Sequence, residues 1–241
     1  ICNSTNLQIM KNVITTHKTL LWIVALTISF SACSKLGDVT KMGLDDSVVL
    51  NTNLEDLSLR MHIVQEPISF TNTFKTGVTP NCSNYTWTLV ADVESPLFNG
   101  EPLSATDVRI YNNMAYVTYH RQGDVYAGGI EVIDITDPEH PTIKSYMQFD
   151  GVDINSLAID NFDLEKDRRV YLAGSSFKKG AVLRQVNAND GILQPSLLDI
   201  SLSDYYSDGE ISASANGIAL SDYYIYMTSG NTVGGTFQLD R

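Results

Sequence analysis

The chain has 241 residues, 43% of them hydrophobic, and carries 28 acidic against 16 basic side chains for a net charge of −12. That acidic balance repels phosphate backbones and anionic headgroups, which argues against nucleic acid as a partner. The apolar share is enough for a real core, and the charge reads as a solvated acidic surface.

Residues 1–9 precede Met10 and have no evident role. Residues 10–32 read as a secretory signal: Lys11, His17 and Lys18 are basic, and 20–30 is an uncharged, mostly apolar run. That run falls short of the roughly 20 residues a spanning helix needs. It ends at Phe30-Ser31-Ala32-Cys33, which resembles a bacterial lipobox, with Phe30 where leucine is usual. The resemblance implies a diacylglyceryl group on the Cys33 thiol and cleavage just before it. It further implies a lipid-anchored protein of the bacterial cell envelope, on the outer membrane, with the membrane as a partner through the acyl anchor. The other reading is ordinary cleavage near residues 29–31, giving a soluble exported protein. The removed residues hold two lysines and no acid, so processing takes the charge from −12 to −14.

With Cys2 ahead of Met10 and Cys33 acylated, Cys82 stands alone, and the processed chain has no intrachain disulfide. Asn81, Ser83 and Asn84 offer Cys82 no base or cation, so it reads as a partly buried thiol. Residues 33–47 are polar and read as a tether. Residues 48–84 read as an N-terminal cap. Within them Leu50, Leu54, Leu57 and Met61, spaced four, three and four, predict one face of a short helix, and strand pieces flank Pro67.

Residues 85–241 carry a repeat. Tyr116, Tyr171 and Tyr226 are 55 residues apart, each followed by a glycine opening another strand, Gly129, Gly180 and Gly235. Apolar alternations precede them at Val108-Arg109-Ile110, Leu157-Ala158-Ile159 and Ile218-Ala219-Leu220, and these predict the inner strands. Middle strands are expected over 115–119, 170–173 and 224–228, with Trp87-Thr88-Leu89-Val90 as the first strand of all. Residues 163–169 read as a loop insertion. Short strands repeating every 40 to 55 residues predict an all-β fold of β-propeller blades. The copies fall near 85–150, 151–211 and 212–241, about two full blades and part of a third. The propeller is therefore expected to be incomplete, an open arc with an exposed strand edge at its C-terminal end. Residues 236–241 stop inside a strand pattern, and with residues 1–9 this reads as a fragment of a longer frame.

The sharpest stretch runs from Gly129-Ile130-Glu131-Val132-Ile133-Asp134-Ile135 into the turn Thr136-Asp137-Pro138-Glu139-His140-Pro141. It combines a β-branched buried strand with a proline-fixed turn. It resembles the LVIVD-repeat family, named for its Leu-Val-Ile-Val-Asp core, and the likeness covers about half the chain. It is strongest over 87–150, fair over 216–240 with Asp240, and poor in the middle, where Gln185 stands at the aspartate position. The resemblance implies a propeller on an exported or surface protein of a prokaryote, and brings no general catalytic signature.

No chemistry stands out. His62, His120 and His140 show no zinc-ligand spacing, so no metal or cofactor is expected. Asp199, Asp204, Asp208 and Glu210 around Gly209 do not match a calcium loop and read as a solvated loop. No nucleophile elbow appears, and the catalytic set is expected to be empty. Gly123 with Gly128-Gly129 belongs to a turn, since no helix follows. Tyr205, Tyr206, Tyr223 and Tyr224 suit a sugar- or peptide-binding face, or turn and edge positions. Two classes stay open. One is a binding or scaffold module with a protein or glycan ligand. The other is an exported hydrolase or lyase whose catalytic residues lie partly in further blades.

Overall fold

The computed structural model describes residues 40–42, 48–68, 87–160, 167–202, 213–230 and 234–241. All fall within one unit that begins at Val39. Cys33, the signal segment, Cys82, Tyr205, Tyr206, Asp204, Asp208 and Glu210 lie outside the described residues.

The protein is all-β. Strands β1 (Thr40–Met42) and β2 (Val48–Asn51) lead into α1 (Leu54–Ser58), the one α-helix among the described residues. Asn53 caps that helix by accepting from the Glu55 N–H at 3.1 Å, and Glu55 and Asp56 suit its positive end. Only Leu57 is buried on it. The helix expected across 50–61 is thus limited to 54–58. Leu50 belongs to β2 and Met61 to β3 (Met61–Ile68), because both flanks find strand partners. β3 pairs with β4 (Trp87–Val93) in a two-stranded sheet, outside the meander Trp87 was expected to open. A small hairpin of β5 (Leu97–Phe98) and β6 (Glu101–Pro102) follows.

Three antiparallel sheets then succeed one another. Sheet 1 is β7 (Ser104–Tyr111), β8 (Met114–His120), β9 (Ala127–Asp134) and β10 (Thr142–Asp150), with β2 and β1 added beyond β10. Sheet 2 is β11 (Val152–Ile159), β12 (Asp167–Ser176), β13 (Gly180–Asn189) and β14 (Ile192–Ser201). Sheet 3 is β15 (Ser214–Leu220), β16 (Tyr224–Gly230) and β17 (Gly235–Asp240), and β17 is its edge.

The tyrosine period is a register. Tyr116 lies opposite Arg109 and Val132, Tyr171 opposite Ala158 and Gln185, and Tyr226 opposite Ala219 and Gln238. Two residues earlier, Met114 faces Asp134, Arg169 faces Asn187 and Tyr224 faces Asp240. The aspartate position of the middle copy is therefore Asn187, not Gln185. The slip arises because Gly180 matches Ala127: the connection after the second strand is shorter in the middle copy, and a fixed count to the next glycine runs two residues out.

Each first strand also bulges at the same place, at Thr106, Asn155 and Asn216, three residues before the one facing the tyrosine. Between sheets 1 and 2 the core holds Tyr116, Ile130, Val132 and Phe149 against Leu157, Val170 and Leu172. Between sheets 2 and 3 it holds Tyr171, Ala173 and Leu183 against Ile218, Ile225 and Met227. On the other side of sheet 1, Leu57, Phe98 and Leu103 of the N-terminal segment cover Ala115, Tyr119 and Ile133. Burial of each such side chain is worth about 1.5–3 kcal/mol.

Gly128 and Gly129 lie inside β9, not in a turn. A Cβ on Gly128 would stand 2.7 Å from Val152 O and 2.8 Å from Ile154 N, so the glycine lets β11 cross β9 closely. Asp199 sits in β14, not in a solvated loop, and faces Arg184 across the strand pair.

Candidate functional site

The connections from second to third strand bring two loops to one end of the sheets. Residues 121–126 join β8 to β9, and 177–179 join β12 to β13. Gly151, the single residue between β10 and β11, fastens them. Its N–H donates to Tyr126 O at 2.9 Å, and its carbonyl accepts from Phe177 N–H at 3.0 Å. Its φ of 80° is left-handed, which favours glycine. Tyr126 and Phe177 then meet edge to face, with ring centroids 5.9 Å apart. Phe177 is 76% exposed and Val125 is also exposed, so an aromatic and apolar ridge stands at this end.

Beside that ridge the first strands begin, and a polar seam runs across them. His120 Nδ1 lies 3.1 Å from Asn155 Oδ1. Asn155 Nδ2 donates to Ser214 Oγ at 3.0 Å and to Ala215 O at 2.9 Å. Ser175 Oγ donates to Ser214 Oγ at 2.7 Å, and Ser214 Oγ donates to Asn216 Oδ1 at 2.7 Å. One bulge inward, the Asp107 carboxylate accepts from Ser156 Oγ at 2.8 Å and Leu157 N at 3.2 Å, and pairs with Arg109 at 3.2 Å. Thr106 Oγ1 donates to Ile154 O at 2.8 Å. Asp153 accepts from Ala127 N at 3.0 Å. Burial pushes the Asp153 carboxyl up, opposed by that hydrogen bond and by the nearby His120.

The histidines are not brought together. His62 pairs with Glu94 on β3's side, and His140 pairs with Asp137 in the proline turn, where it holds the Asp137 carboxyl below the usual range. Among the described residues no group of three or more His, Cys, Asp or Glu side chains is placed to hold a metal ion. Asp134 and Asp240 serve the backbone: Asp134 accepts from Thr136 N and Asp240 from Arg241 N. Tyr223 is exposed on the turn after β15, and Tyr224 packs its ring edge against Tyr226 at 6.3 Å.

Sequence reasoning missed two features. One is the seam, whose visible signal was the polar residue three places before the one facing each tyrosine. The other is a buried charge cluster behind sheet 1. There Arg60 pairs with Glu131, Tyr119 Oη donates to Glu131 Oε1 at 3.1 Å, and the Tyr146 ring lies under the guanidinium at 5.7 Å. Burial pushes the Tyr119 and Tyr146 phenols up. No helix among the described residues is long and apolar enough to cross a membrane. Comparison with protein-family models, curated proteins and solved structures found no match.

Proposed function

We propose that this chain is a non-catalytic binding module of a bacterial cell envelope, built as an arc of β-propeller blades of the LVIVD-repeat type. Two blades have four strands and one has three, and the lipid on Cys33 tethers the arc to the outer membrane. The ligand is a protein or a glycan, held where the second-to-third-strand connections converge. One observation carries this reading: the exposed Tyr126–Phe177 ridge stands beside the polar seam, at the end where the first strands of all three sheets begin. An aromatic surface with hydrogen-bonding groups beside it suits a sugar ring or an extended peptide.

The exposed ridge carries the binding reading, and the seam beside it holds its groups on one another: His120 on Asn155, Asn155 on Ser214, Ser214 on Asn216. A catalytic base held ready beside a nucleophile needs a different arrangement.

The test replaces residues 121–126 with a short Gly/Ser turn and Phe177 with Ser, leaving Gly128 in its strand. Binding is then measured on a glycan array and against immobilised envelope proteins. We expect unchanged thermal unfolding and loss of the wild-type signal. Cys33→Ala should abolish palmitate labelling, and unchanged labelling would remove the anchor from the proposal. Turnover of a glycan or ester that disappears with Asp153→Asn or Asp107→Asn would replace the binding class with the enzyme class.

A further inference from the structure

Half of the large hydrophobic side chains that stand exposed among the described residues fall between Leu54 and Leu97, ahead of the three sheets. The β3–β4 ribbon holds most of them, and strand pairing sorts them onto one face. Met61 lies opposite Val93, Ile63 opposite Ala91, Glu66 opposite Leu89 and Ile68 opposite Trp87. Directly opposed residues share a face, and on β4 those four positions alternate with Asp92, Val90 and Thr88. An extra residue in β3 between Ile63 and Glu66, where Gln65 takes a left-handed φ of 56°, keeps the strands in phase.

The two ends of that face differ. Met61 and Val93 pack with Leu57 and Phe98 on the cluster that covers sheet 1. Beyond them Ile63, Ile68, Leu89 and Trp87 are between 40% and 61% exposed. A two-stranded ribbon is marginal in water by itself, so an apolar face carried out past the core calls for a cover.

We propose that the cover is the lipid bilayer, and that the ribbon's apolar face docks in the membrane interface with Trp87 at headgroup depth. The proposal rests on the Cys33 anchor proposed above. Cys33 stands seven positions before Thr40, where β1 begins. An extended chain of that length reaches about 25 Å at most. β1 pairs with β2, only Thr52 and Asn53 separate β2 from α1, and α1 leads directly to the ribbon. A lipid on Cys33 thus holds next to the bilayer the segment in which the exposed apolar side chains gather. A tryptophan among aliphatic side chains suits that boundary, where its ring meets hydrocarbon and its N–H meets water. The ribbon strands contain Glu66 and Asp92 and no lysine or arginine, so the lipid they suit is zwitterionic, not anionic. A second copy fits less well. A stable pair takes about 20–30 residues a side, and this strip offers four large apolar side chains.

Trp87 reports on the contact directly. The chain's two tryptophans are Trp22 and Trp87, and processing before Cys33 removes Trp22. The mature lipidated protein is purified from membranes and reconstituted into phosphatidylcholine vesicles with and without bromine on the acyl chains, since bromine quenches an indole it touches. We expect Trp87 emission to fall about twofold in the brominated vesicles, as an interfacial apolar face sits about 5–10 Å into the headgroup and acyl boundary. Ile63→Ser with Ile68→Ser should leave the protein on the vesicles, and its unfolding midpoint unchanged, while most of the quenching is lost. Quenching that survives this change overturns the docking. So does an unquenched Trp87 in wild-type protein that sediments with the vesicles, and both results leave the anchor standing. If that unquenched emission shifts to the red as the protein is diluted among the vesicles, the face belongs to a second copy. Failure of the anchor looks different: the protein then stays in solution, and the docking falls with it.

Discussion

Half-buried Arg60 and buried Arg184 both stack over an aromatic ring, Tyr146 at 5.7 Å and Phe149 at 5.1 Å, and both pair with a strand carboxylate. Their settings differ. Arg60 reaches Glu131 from 71 positions away, and the Glu131 side chain has no solvent contact. Arg184 faces Asp199 on the neighbouring strand of one sheet, and Asp199 keeps 16% exposure and a second cation, Lys179, at 2.9 Å. The first pair joins the N-terminal segment to sheet 1, and without Arg60 the Glu131 carboxylate keeps only the neutral Tyr119 hydroxyl. The second trims a sheet that its backbone ladder already holds. Burial of the partner left behind, more than the contact itself, sets what each pair is worth.

Removing the cation from each pair tests this directly. Arg60→Met should cost about 3–5 kcal/mol, because Glu131 would be left charged and dry. Urea unfolding measures it, and adding Glu131→Gln should recover most of the loss, since the amide still accepts from Tyr119. A loss under 1 kcal/mol would erase the contrast. Arg184→Met should cost less, roughly 1–2 kcal/mol, because methionine fills the space over Phe149 while Asp199 keeps Lys179 and some solvent. Equal losses at both sites would show that solvent at the carboxylate does not matter.

The smallest effect sharpens the same point at a carboxylate that has a histidine, not an arginine, beside it. Burial makes folded Asp153 hold its proton more tightly than the ordinary value of 3.8. Its contribution to stability is therefore complete below 3.8 and is lost as pH rises through the folded value. Asp153→Asn keeps the acceptor for Ala127 N. It should leave the unfolding midpoint unchanged in acid and raise it slightly at pH 7 (about 1–2 °C is the scale of a few tenths of a kcal/mol). A fall at pH 7 would show that the charge on Asp153, beside His120, stabilises the fold.

The first and second strands of all three sheets were legible because the tyrosine period is set by strand register, and register survives changes in loop length. The count from the glycine failed in the middle copy, where Gly180 falls two residues out of phase, while Gly235 keeps step with Gly129. The helix over 50–61 was overread because apolar residues four, three and four apart also fit strand, short helix and strand when Val48 to Leu50 finds β10. The Arg60–Glu131 cluster left no local trace, because its members lie 71 positions apart in the chain. The seam left a faint one, a Thr or Asn at a place where a strand was expected to alternate.

Gly151 also sets how the molecule carries load. Strand β10 of sheet 1 and the first strand of sheet 2 are separated by that one residue, whose backbone is pinned to Tyr126 and Phe177. With no slack at the joint, tension pulling β10 from its sheet passes straight into β11, which lies between β7 and β15. Stretched from its ends, the protein should yield them together in one rupture, longer than either sheet alone would give.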